Sequence, residues 1–167
     1  MTPFASWLSR TSLSMALQGQ EGWLWPFLET FHFIGLSLLL GIAGFFDLRL
    51  MGVMKRVPIR AVWEFMPWAI AGFSINLLTG LIFLIAEPRQ YVENISWWFK
   101  VLFLVLAGLN AMLFQTTLST RIVRLKPGED TPISFKVIGA VSLVTWLGVL
   151  YFGRLMPFWG ASTSAGL

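Results

Sequence analysis

The sequence predicts an all-α fold: a four-helix transmembrane bundle preceded by a short interfacial amphipathic helix, in one domain covering residues 1–167. Three observations carry this. Hydrophobic residues make up 56% of the chain and charged residues only 12%, about half the charged share of an ordinary soluble domain. The mean hydropathy is +0.73. The apolar excess is gathered into four runs, at about 22–47, 66–86, 97–118 and 135–158, each close to or beyond the ~20 residues a helix needs to cross ~30 Å of hydrocarbon.

The elements follow in order. Residues 3–18 are too short and polar to span, but Phe4, Trp7, Leu8 and Leu17 share a helical face away from Ser9 and Arg10. That pattern suits a helix lying in the membrane interface. The first span enters at Trp23–Trp25, with Pro26 in its first turn, where the missing N–H is tolerated. It is too long, and lacks the small-residue cleavage site, to be a secretory signal peptide. Pro67 opens the second span in the same way. Glu87-Pro88-Arg89-Gln90-Tyr91 and Lys126-Pro127-Gly128-Glu129-Asp130 read as turns.

Charge sets the orientation. The loop after the first span holds Arg49, Lys55, Arg56 and Arg60, and the loop after the third holds Arg121, Arg124, Lys126 and Lys136. Arg10, Arg89, Lys100 and Arg154 fall on the other side. Basic residues mark the cytoplasmic face, so both termini are expected in the periplasm. Trp23, Trp25, Trp97, Trp98, Phe158 and Trp159 then form an outer aromatic belt, with Trp63 and Trp68 near the inner interface. The net charge of +4 is a topology signal, and nucleic acid is not an expected partner. With zero cysteines, disulfides, thiolate metal sites and iron–sulfur clusters are excluded.

Chemistry is concentrated in Trp25-Pro-Phe-Leu-Glu29-Thr-Phe-His32-Phe-Ile-Gly35, where a carboxylate and the sole histidine stand three residues apart on one helical face. Asp47 returns to that face five turns later. Ser37, Gly41 and Gly44 lie opposite, as an expected packing edge. Ionisable groups at this depth cost several kcal/mol against lipid and so should face a bundle or oligomer interior. Lys100, Tyr151 and Arg154 fall at the level of Glu29 and His32, and an ion pair from Glu29 to Lys100 or Arg154 is expected. Deeper in the bundle, Asn76 and Thr79 on the second span and Asn110 on the third can meet the same edge, and the two asparagines read as interhelical glue. The plain alternative is a purely structural hydrogen-bonded network, with Glu29 paired to Arg154 or Lys100 and a neutral His32 donating to a carbonyl or hydroxyl.

The cofactor-binding candidates are therefore His32, Glu29, Lys100, Tyr151 and Arg154, with His32 the one candidate metal ligand. An imidazole in a membrane helix suits axial ligation of haem b, and the basic residues suit its propionates. A second histidine is missing, so Met156, Met112 or another copy of the chain would complete the iron. A quinone is the related expectation. The competing readings are a small oligomeric channel or transporter and a structural anchor for a partner protein. No nucleotide-binding loop, paired metal-binding histidine motif or serine nucleophile elbow occurs, so an independent enzyme is not expected. Expected partners are membrane lipids and either further copies of the chain or the other subunits of a membrane complex. Asn94-Ile95-Ser96 matches a glycosylation sequon, without weight in a bacterial host.

The residues Glu29-x-x-His32-x-x-Gly35, Phe46-Asp47-Leu48-Arg49-Leu50-Met51-Gly52, Gly72-Phe73 with Thr79-Gly80, Tyr91, Asn94, and Lys100 leading to Ala107-Gly108-Leu109-Asn110 resemble a family of small four-span bacterial inner-membrane proteins. The resemblance covers roughly 22–120. It implies a bacterial inner membrane and singles out Glu29, His32, Asp47, Arg49 and Lys100, and it carries over no activity. In architecture alone the chain is similar to membrane cytochrome b subunits and copper-resistance membrane proteins.

Overall fold

A computed structural model of the protein describes residues 2–18, 21–122, 125 and 128–159, and among these every regular element is a helix. Four stretches are long and apolar enough to cross a membrane: Gly22–Leu50, Ile59–Ala86, Ile95–Thr117 and Ile133–Trp159. The chain is a multi-pass membrane protein with the four-helix architecture its sequence predicts.

The amphipathic segment is two helices, α1 (Pro3–Leu8) and α2 (Ser12–Gln18), not one. Its hydroxyl residues cause the break. Ser9 and Thr11 donate to the carbonyls of Ser6 and Leu8, and Thr11 Oγ1 accepts from the Ser14 N–H as the cap of α2. Such side chains offer the backbone an alternative to a continuous helix. Phe4 and Trp7 stay exposed, as an interfacial face requires, while Ala5 and Ser14 are buried.

The first span is α3 (Glu21–Leu50). At 1.5 Å per residue it is about 45 Å long, so it overshoots the hydrocarbon layer. It starts at Glu21, about one residue before the expected run, and Pro26 stands inside the helix and not in its first turn. The hydrogen bond lost there would have ended on Gly22, an exposed residue. Its other end closes on Gly52, at φ +90°. The Gly52 N–H donates to the Arg49 carbonyl and that of Val53 to Leu48, which satisfies the last carbonyls.

The second span is bipartite. Helix α4 (Ile59–Trp63) ends where Pro67, second residue of α5 (Met66–Ala86), would clash with the carbonyl four residues back. A short α6 (Pro88–Val92) turns the chain into α7 (Ile95–Thr117). Asn94 secures that entry, accepting from the Ser96 N–H at 2.9 Å and donating to the Met156 carbonyl at 2.8 Å. With its amide spent and its surface buried, the sequon match is a helix cap. Helix α8 (Ser119–Ile122) then leads to α9 (Ile133–Trp159). Arg124, Lys126, Pro127 and residues 160–167 lie outside the described residues.

The helices pack in the order α5, α3, α9, α7. Helices α3 and α5 meet backbone to backbone: an ideal Cβ on Gly72 would lie 2.6 Å from the Gly35 carbonyl. The α3–α9 contact uses Gly139, where a Cβ would stand 2.7 Å from the Asp47 carbonyl. Between α7 and α9 the Phe103 ring lies directly on Gly148, and Asn110 donates to the Ile138 carbonyl at 3.1 Å. Helices α5 and α7 make no comparable contact. The bundle is thus an open arc with a lateral gap between them.

This corrects the expected packing edge. Ser37 and Gly41 are exposed, with nothing within 4 Å of a Cβ at Gly41, and Gly44 only just reaches Leu143. The buried stripe of α3 is Leu28, Gly35, Leu39, Phe46 and Leu50, the same side as His32. Polar and packing groups share one face.

At the basic end, Phe46, Leu50, Ile59, Val62, Phe114, Leu118, Ile122 and Phe135 form the apolar core. Arg49 is fully buried there, and its guanidinium donates to the Val57 and Lys55 carbonyls. Asp130 ties the loops together through Lys55 and Lys136, each at 3.0 Å. Those two ammonium groups hold its carboxyl down at about 2.

Candidate functional site

The open arc encloses two cavities. One lies toward the end where α3 and α7 begin and α9 finishes, the end rich in tryptophan. It has a volume of about 430 Å³ and is lined from five helices, including Glu29, His32, Tyr91, Lys100, Arg154 and Met156. Four of the five predicted site residues, Glu29, His32, Lys100 and Arg154, therefore converge on one space. The volume is within the ordinary range of small-molecule sites.

Tyr151 is not brought to it. The cavity face of α9 is Trp146, Val149, Leu150 and Gly153, and the helical turn puts Tyr151 on the opposite side. It is 61% exposed, its ring edge-on to Phe152. The predicted ion pair is also missing: among the described residues neither Lys100 nor Arg154 lies within 4.0 Å of the Glu29 carboxylate. The Glu29 charge is felt at Tyr91 instead. Burial, then the Glu29 charge, then that of Glu87, push the Tyr91 hydroxyl up to about 12. Tyr91 is therefore a lasting O–H donor at the cavity wall.

Thr79, a polar group of the second span expected within reach of this edge but not among the cofactor-binding candidates, orients His32. Its Nδ1 lies 2.7 Å from the buried Thr79 hydroxyl on α5. That hydroxyl has one proton, with the Ile75 carbonyl at 2.7 Å and the Asn76 carbonyl at 3.3 Å as acceptors besides Nδ1. With the proton directed to the Ile75 carbonyl, Thr79 accepts from Nδ1–H, and in that tautomer Nε2 is left as the lone-pair nitrogen. Small residues make room for this: Gly80 lies beside the ring, where a Cβ would be 3.9 Å from Cε1, and the Phe83 ring lies tilted at 57° to it with centroids 5.7 Å apart. The spacing Gly72, Asn76, Thr79, Gly80 on one helix face was the available signal. Asn76 turns its amide back onto the Gly72 carbonyl of its own helix, so of the two asparagines Asn110 alone bridges helices.

Lys100 is half-buried, its methylenes against Gly153, where a Cβ would stand 3.6 Å from Cδ. Among the described residues it has no carboxylate within 4.0 Å, and His32 is near enough to feel its charge. With Lys100 and Arg154 positive and Glu29 negative, the charged groups lining the cavity leave a local excess of one positive charge. An ammonium held in such a space favours a ligand oxygen or negative charge beside it. No group of three histidine, aspartate or glutamate side chains gathers as a metal site among the described residues.

The second cavity, about 730 Å³, lies toward the basic end and contains Asp47. The two abut at Leu39, Phe73, Leu104 and Trp146, which line both. No protein-family model, curated protein or solved structure matches this chain, so the chemistry of the site rests on its own geometry.

Proposed function

We propose that the protein is a redox-associated membrane subunit that binds a lipid-soluble quinone in the histidine cavity. The observation that carries this reading is His32, held at Nδ1 by Thr79, in the same cavity as Lys100, which has no carboxylate within 4.0 Å among the described residues. A quinone has two carbonyl oxygens on a flat apolar ring. The Lys100 ammonium and the Tyr91 hydroxyl are donors for a carbonyl, and Nε2 is an acceptor for the hydroxyl of the reduced form. The gap between α5 and α7 gives a lipid-soluble molecule a sideways entrance and its tail an exit, without passage through water.

A haem b reading has one specific support. Met156 lines the same cavity as His32, and histidine with methionine is an established axial pair. When bound, the iron would supply one-electron chemistry; His32 and Met156 would hold it, and Lys100 and Arg154 would neutralise its propionates. The channel reading is weaker, because the two cavities meet at wholly apolar walls. The setting of the proposal is a bacterial inner membrane with both termini periplasmic. Its support is the placement of eight of the twelve Lys and Arg residues in two loops at one end.

Purified protein is the test, extracted in mild detergent and analysed for quinone content and visible absorption. Quinone in stoichiometric amount with no Soret band is the expected result. A Soret band that survives washing transfers the site to haem, and neither quinone nor haem from a replete host ends the redox reading.

A further inference from the structure

The cavity at the basic end has a different character from the histidine site, and nothing in the proposed function uses it. Its walls are aromatic and aliphatic. Phe46, Trp63 and Phe114 form a mutually packed cluster with ring centroids 5.4–5.7 Å apart, and Phe73 meets Trp146 at 6.3 Å on the far side. One charged side chain is embedded in this wall. Asp47 is 4% exposed, and its Oδ2 has no hydrogen-bond partner among the described residues. Ser142, also in the lining, is within hydrogen-bonding reach of the carboxylate.

The neighbouring charges do not neutralise it. Arg49, two residues along α3, spends Nε and Nη2 on the Val57 and Lys55 carbonyls, and its Nη1 is buried without a hydrogen-bond partner among the described residues. No cation of the described residues lies within 4.0 Å of Asp47. Glu64, the other carboxylate of the lining, is at the rim, its side chain 69% exposed. A buried carboxylate with no cationic partner is stable only when it takes up a proton or gains a counter-charge, so the cavity has a place for one positive charge beside Oδ2. Aromatic faces beside a carboxylate are the surroundings in which an organic cation is held. Access is through lipid: Ile70 on α5 and Met112 on α7 are about 60% exposed at the mouth, where the arc is open.

From this geometry we infer that the basic-end cavity is a binding site for a lipophilic organic cation, an ammonium or phosphonium with bulky apolar groups, which enters from the membrane with Asp47 as counter-ion. Its apolar groups fill the aromatic wall and its charge settles beside Oδ2. A neutral molecule of the same shape gains the wall contacts and not the ion pair. The site is independent of His32.

The experiment is titration of the full-length purified protein with tetraphenylphosphonium, read by equilibrium dialysis and by quenching of tryptophan fluorescence, with triphenylphosphine oxide as the neutral comparison. Saturable binding at one per chain is expected, tighter for the cation. Asp47→Asn should weaken the cation at least about tenfold, the loss of roughly 1.4 kcal/mol or more, and leave the neutral compound little changed. Ala111→Trp fills the cavity with Asp47 intact and should weaken both, which keeps the test valid if Asp47→Asn fails to fold. His32→Ala should bind the cation as the wild type does. Non-saturable uptake by the wild type, equal affinity for cation and neutral compound, or full binding by Asp47→Asn or Ala111→Trp would overturn the proposal.

Discussion

His32 on α3 and Thr79 on α5 meet at 2.7 Å between Nδ1 and Oγ1, so the two helices fix the ring together. When the threonine proton is directed to the Ile75 carbonyl, the bond selects the Nδ1–H tautomer as well as an orientation. Thr79→Val keeps the shape and removes the acceptor. It should lower stability by about 1 kcal/mol, the net worth of a hydrogen bond. Quinone affinity should fall more than stability does, since the ring is free to rotate. Thr79→Ser should restore affinity, and binding titrations of the two variants check this.

Among the described glycines Gly72 makes the closest approach to another helix's backbone, and Gly41 is an internal control. A Cβ at Gly72 meets the Gly35 carbonyl at 2.6 Å and the Leu38 Cβ at 2.9 Å, while one at Gly41 meets nothing. Gly72→Ala should therefore destabilise by roughly 1–3 kcal/mol through overpacking. Gly41→Ala should be neutral or gain up to about 1 kcal/mol from helix propensity. Thermal unfolding in detergent measures both, and equal effects would contradict the packing described.

Tyr91 gives a pH dependence at the alkaline side. Its hydroxyl is held at about 12 in the folded protein, above its ordinary 10.0, by burial first and then by Glu29 and Glu87. The unfolded chain loses this proton first, so stability is unaffected below pH 10 and falls as the pH rises toward 12. Tyr91→Phe should flatten that stretch of the profile. Phenolate absorbance of wild type minus variant reads the titration directly.

Asp130 gives the opposite dependence at the acid side. Lys55 and Lys136 hold it near 2, below its ordinary 3.8. A depressed carboxyl contributes its stability above 3.8 and loses it as the pH falls toward 2. Asp130→Asn should remove this acid-side loss and loosen the loop at the basic end. Hydrogen exchange of the Gly128 amide, which donates to the Lys55 carbonyl, should be faster in the variant.

How legible this was from sequence varied with the physical signal. The four spans are a composition signal summed over ~20 residues each, and the helices start and stop within a few residues of the expected runs. The convergence of Glu29, His32, Lys100 and Arg154 followed from depth and the three-residue spacing. Helix rotation was harder, because a helix apolar all round has no polarity pattern to orient it. Hence Gly41 and Gly44 looked as suited to packing as Gly35, and Tyr151 as close to the site as Arg154. Glu29 lacks the partner that charge inventory suggested, since sharing a level in the membrane does not fix the azimuth of two long side chains. Thr79 was legible as a polar group that could meet the histidine's edge, but not as the partner of His32 in particular, because threonine in an apolar helix commonly satisfies itself on its own backbone. The missing α5–α7 contact depends on which helix pairs close first around small residues, a property of three dimensions.

The central claim is that His32 holds a quinone in the histidine cavity. It is tested most directly by the affinity of a short-chain benzoquinone for wild type, His32→Ala and Tyr151→Phe, read by quenching of tryptophan fluorescence. Trp97 and Trp146 both line the cavity and serve as reporters. Removing the imidazole should weaken binding roughly tenfold or more, while Tyr151→Phe, on the outer face of α9, should bind as the wild type does. Unchanged affinity in His32→Ala, or a loss in Tyr151→Phe as large as in His32→Ala, would contradict the account.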